Sequence, residues 1–72
     1  MNRRLYVATD TFTADSVTAQ GRQRTFKRAD QFWFDEDQGG EEVVFEVDGH
    51  EFSVKRSQFR ATPKNPGSKT SN

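Results

Sequence analysis

Residues 42–55 read EVVFEVDGHEFSVK, and this stretch decides the fold. Asp48-Gly49 is a two-residue hairpin signal, because a type I′ turn needs positive φ at both central positions. The turn fixes the register. Val47 faces His50, Phe45 faces Phe52 and Val43 faces Val54, so every member of that set except His50 is apolar and all lie on one face. The opposite face sets Glu46 against Glu51, Val44 against Ser53 and Glu42 against Lys55. Glu46–Glu51 is a like-charge pair for which the local sequence offers no reason. A one-residue slip would turn the apolar set to water, so alternation specifies this hairpin.

The same period continues outward. Gln31–Asp35 (QFWFD) sets Phe32 and Phe34 against Trp33. A helix over 26–33 competes, with Phe26, Ala29 and Trp33 at helical spacing, but three consecutive aromatics suit a pleated surface better. Arg3–Thr9 alternates Leu5 and Val7 against Tyr6 and Ala8 and reads as the first strand. Asp15–Lys27 reads as a second hairpin around a Gly-first type II′ turn at Gly21-Arg22, with Val17 opposite Phe26 and Thr18 opposite Thr25. Ser57–Arg60 reads as a single 3₁₀ turn returning Phe59 to the core. Thr62–Asn72 holds both prolines and no apolar side chain, and reads as a disordered polar tail that cannot offset its ordering entropy.

Five or six short strands, with turns about every 8–12 residues, predict an all-β fold, a small antiparallel barrel over residues 1–61 followed by the tail at 62–72. The order of strand, long loop, meander, tight hairpin, 3₁₀ turn and last short segment resembles an SH3-like barrel over residues 3–60. The aromatic ligand groove of signalling SH3 domains would need an ALYDY-like stretch, and Leu5-Tyr6-Val7 is too short to supply one.

Composition tests that reading. The chain has 72 residues, 31% hydrophobic and 31% charged, with seven Phe and one Trp, and a mean hydropathy of -1.02. Leu, Ile, Val and Phe together touch the disordered range, yet the formal net charge is zero, and disorder of that kind needs high net charge. Apart from Met1, every apolar residue lies between Leu5 and Ala61. Large aromatics give a small core much buried area per residue. No apolar run reaches the length of a membrane helix, and MNRRLYVATD lacks the apolar region of a signal peptide, so a cytoplasmic protein is expected. The absence of Cys excludes a disulfide framework, a thiolate zinc site and a Cys nucleophile.

The charge tie conceals blocks. Residues 1–30 carry six basic and three acidic side chains, 31–52 eight acidic and no Lys or Arg, and 53–72 five basic and no acidic. Internal pairing is the simple reading; a dipolar surface that steers a charged partner is the sharper one. Arg3, Arg4, Arg22, Arg24, Lys27 and Arg28 form a candidate nucleic-acid edge, with Trp33 or Tyr6 as the stacking ring, although a pI of about 6.6 lacks the basic balance such domains show. Asp35, Asp37, Gly40 and Glu46 fall at the first, third, sixth and twelfth places of a calcium-loop pattern, but strands flank them and Gly39 stands where an oxygen ligand belongs. The single His50 makes no usual zinc site, and Asp48, His50 and Ser53 on one hairpin lack an oxyanion loop. No metal, cofactor, membrane or small-molecule substrate is expected.

Trp33 points away from Phe32 and Phe34. It packs at the barrel rim, or it anchors an interface with Tyr6, Val44 and Phe12 as neighbours. The preferred reading is a non-catalytic small binding module or inhibitor acting by protein–protein contact. Such composition is common among small phage- or plasmid-encoded accessory proteins, and the acidic segment 35–51 would then imitate phosphate towards a basic partner site. A nucleic-acid-binding small barrel using the basic half is the alternative.

Overall fold

The structure, a computed structural model, describes residues 3–64. Its strands are β1 (Arg3–Ala8), β2 (Phe12–Ser16), β3 (Gln23–Phe26), β4 (Gln31–Asp35), β5 (Glu42–Val47), β6 (His50–Lys55) and β7 (Ala61–Pro63), with a 3₁₀ turn at Arg56–Gln58. All are antiparallel, in one sheet of order β3-β2-β6-β5-β4-β1-β7. This order forces curvature. β1 and β2 stand four strand spacings apart, about 19 Å in a flat sheet, yet residues 9–11 alone join them and can span only about 14 Å between the strand ends. The sheet therefore curls into a half-barrel, and Phe12 on β2 meets Phe32 on β4 edge to face, with centroids 6.2 Å apart.

The concave side holds the core. Phe12, Phe26, Phe32, Phe34, Phe45 and Phe52 are buried with Val43, Val47, Val54, Ala8 and Ala14, and Phe59 packs against them. Phe26 is fully buried and meets Phe45 at 5.0 Å and Phe52 at 5.3 Å, both edge to face, the arrangement aromatic quadrupoles favour. At the β3 edge the Arg24 guanidinium lies 5.1 Å from the Phe26 ring centre, covering apolar surface with its stem while its charge stays in water.

The β5–β6 register is the expected one, from Glu42 against Lys55 to Val47 against His50, with Asp48 at φ 52 and Gly49 at φ 79. QFWFD is strand β4 and not helix. The first strand begins at Arg3 as read and ends at Ala8, one residue short of the expected Thr9.

Four expectations need correction. β2 begins at Phe12, so Phe12 opposes Phe26 and Thr13 opposes Thr25, and Val17 and Thr18 belong to the connection instead. That connection is longer than a two-residue turn. Arg22 N–H reaches Ala19 C=O at 3.0 Å, which puts Gly21, at φ 83, third in its turn and not first. The 3₁₀ turn begins one residue and ends two residues earlier than expected, and Phe59 follows it as the residue returning to the core. The strands number seven, not five or six, because Thr62 and Pro63, read from composition as tail, join Ala61 in pairing with β1. Pro63 is tolerated there because β7 is an edge strand. Residues 65–72 of the expected tail lie outside the described residues.

Candidate functional site

Strand alternation splits the residues singled out from the sequence between two faces. Trp33 and Val44 lie on the convex side, 48% and 36% exposed. Phe12 lies on the concave side, buried at 6%, because its strand begins earlier than expected and turns its ring against Phe26 and Phe45. It is therefore not part of an exposed surface. Tyr6 also points inward, at the rim. Its ring packs 4.7 Å from that of Phe34, and its hydroxyl donates to the Glu36 carboxylate at 2.5 Å. Burial, then the hydrogen bond and charge of Glu36, push this phenol from 10.0 up to about 12.

The large hydrophobics left exposed among the described residues are Val17, Trp33 and Val44, and the register puts all three on the convex face. Trp33 lies between Leu5 on β1 and Glu46 on β5. Glu46 lies against Glu51, and the Glu51 carbonyl accepts the Val17 N–H at 2.9 Å. One row across the sheet thus reads Leu5, Trp33, Glu46, Glu51, Val17. Val17 was missed in the sequence because the shifted β2–β3 register had placed it opposite Phe26. Its signal is the alternation from Phe12 and Ala14, which turns Thr13, Asp15 and Val17 outward.

A shallow groove of about 440 Å³ opens on this face, lined by Trp33, Val44, Gln38, Arg3 and the carboxylate-bearing Asp35, Glu46 and Glu51. Gln38 shapes its floor. Its amide donates to the Asp35 and Val44 carbonyls at 2.9 and 2.7 Å, and its carbonyl accepts the Val44 N–H at 2.7 Å. The side chain thus stands in for a strand backbone where the β4–β5 ladder ends. Arg56 secures the same loop through the Gly40 and Gln38 carbonyls. The former calcium-loop pattern is in this way a tied hairpin loop, and Glu46 is engaged by Arg3. No group of three or more His, Asp or Glu among the described residues is arranged to hold a metal ion.

Arg3 also accounts for the like-charge pair. From β1 it reaches over β4 to ion-pair with Glu46, relieving Glu46 but not Glu51, which makes no ion pair or side-chain hydrogen bond among the described residues. The other basic residues do not converge with Trp33. Arg4 approaches Glu36 at 3.4 Å, Arg24 covers Phe26 and Phe52, and Arg28 donates to the Thr9 carbonyl at 3.2 Å. Arg22 and Lys27 flank β3. No described helix is long and apolar enough to cross a membrane.

No family model, curated protein or solved structure matches this chain.

Proposed function

We propose that the chain is a non-catalytic binding module that docks another protein on the convex face centred on Trp33. The observation that carries this reading is that Val17, Trp33 and Val44, the large hydrophobics left exposed among the described residues, lie on one face, outside the core. A half-exposed Trp with aliphatic neighbours and a charged rim has the composition of an interface hot spot. We read the scaffold as an SH3-like barrel. Support comes from the order β7-β1-β4-β5-β6, a meander whose last hairpin leads through a 3₁₀ turn to a final strand beside the first, with β2 and β3 in the long connection after β1.

The nucleic-acid alternative draws less support, because the exposed stacking ring stands among Asp35, Glu46 and Glu51, where a phosphate backbone would be repelled. The test is affinity capture from a nuclease-treated lysate with wild-type and Trp33→Thr baits of equal fold. A protein held by the wild type and lost by the variant supports the reading. Equal capture by both baits overturns it.

A further inference from the structure

We propose, resting on the reading of this face as the docking surface, that its occupant is a basic partner segment that lays an arginine side chain against Trp33 with Glu51 as counter-charge. Charge complementarity carries the inference. Among the described residues the groove is lined by the carboxylates of Asp35, Glu46 and Glu51 and by one cation, Arg3. Arg3 is committed to Glu46, which leaves the groove negative on its Glu51 side. Like charges directly opposite one another on a sheet are destabilising; Arg3 offsets this at Glu46, and an incoming cation would offset it at Glu51.

The Trp33 indole in the lining narrows the choice of cation. An indole attracts a cation over its face, more often a guanidinium than an ammonium. The planar guanidinium also stacks, and it can engage a carboxylate by two parallel hydrogen bonds. Arg3 and Glu46 in the same groove already form a guanidinium–carboxylate pair, through one nitrogen. A polyanion would meet the Glu51 carboxylate and an Arg3 already engaged by Glu46. A neutral apolar segment would leave Glu51 desolvated and unpaired beneath it, which is costly for a charge.

Trp33 is the chain's single Trp, so its emission reports this face alone. The experiment titrates triarginine amide, its uncharged isostere tricitrulline amide and triglutamate amide, all N-acetylated, into the full chain, following Trp33 fluorescence and backbone amide shifts. Triarginine amide is expected to give a saturable change at Trp33, Glu46 and Glu51 that weakens with added salt. Tricitrulline and triglutamate amides are expected to bind at least about threefold more weakly. Glu51→Gln should weaken triarginine about threefold, whereas Arg3→Gln, by releasing Glu46, should tighten it about twofold.

Equal binding of the citrulline and arginine peptides at Trp33, or an unchanged affinity in Glu51→Gln, overturns the arginine inference and leaves the docking face standing. Triarginine binding that never perturbs Trp33 and survives Trp33→Thr overturns both. Absence of saturation up to millimolar peptide overturns the arginine inference. A concentration-dependent dimer that quenches Trp33 without any peptide assigns the face to a second copy and overturns it as well.

Discussion

The concave and convex faces of this sheet are built from the same strands, yet they do opposite work. On β4, Phe32 and Phe34 are buried at 1% and 6% while Trp33 between them is 48% exposed. On β5, Val43 and Phe45 are buried while Val44 stays out. The concave face meets its rings with other rings, whereas the convex face meets Trp33 with carboxylates. An aromatic side chain holds a small fold together only where the curl supplies partners. The same chemistry one residue away is left for a contact outside the molecule.

Breaking the concave face should have the largest effect. Phe26 is fully enclosed, and Phe26→Ala removes a ring that touches four others. Truncating a buried Phe costs about 3–5 kcal/mol, comparable to the whole stability a core of this size supplies. The variant should be largely unfolded at 25 °C by circular dichroism. A cooperative transition near the wild-type midpoint would mean that the core does not depend on its central ring.

The seam between the faces is the next target. Gln38→Ala removes three hydrogen bonds at the end of the β4–β5 ladder. Water can replace some of them, so the expected loss is about 1–2 kcal/mol, read as a lower urea midpoint at unchanged slope. Amide exchange at Val44 should quicken before the rest of β5 does.

How much of this was legible follows from where the determinants lie. The β5–β6 hairpin could be read because Asp48-Gly49 names its own turn and alternation sets its register. The outward direction of Trp33 followed from the same period. The β2–β3 hairpin could not be read in this way. Its connection is too long for turn chemistry to fix the register, and what chooses the pairing is the fit of Phe12 against Phe26 across the core. The Lys27–Asp30 turn was equally hidden, because its left-handed residue is Ala29 at φ 82, where sequence cues look for Gly or Asn. There the Asp30 side chain accepts the Lys27 N–H at 2.9 Å, and Ala29 N–H bonds to Ala8 C=O. The roles of Gln38 and of Arg3 towards Glu46 rest on tertiary contacts that no local spacing announces.

At the rim, Tyr6 gives a smaller effect with a defined pH window. Its phenol titrates near 10.0 in the unfolded chain and is pushed to about 12 in the fold. The neutral form is thus favoured on folding. Its contribution is fully present below pH 10 and is lost as pH rises towards 12. Tyr6→Phe keeps the packing on Phe34 and Phe59 and deletes the bond to Glu36, so it should cost about 1 kcal/mol at pH 8. The gap between the two proteins should close between pH 10 and 12 in parallel urea titrations. A gap that stays constant across that range would show that the hydroxyl contributes nothing linked to its proton.

The smallest expected change in stability is the most telling for the two faces. Trp33→Thr exchanges one strand-forming side chain for another on the convex side. About half of the indole already meets solvent. Its cross-strand neighbours are Leu5 and Glu46, and contacts of that kind contribute about 0.2–1 kcal/mol. If the convex face serves an external partner, the variant should unfold within about 1 kcal/mol of wild type and still lose its captured protein. A loss approaching that of Phe26→Ala would make Trp33 an outer brace of the sheet. The division of labour between the faces would then collapse, and the exposed indole would be explained by folding alone.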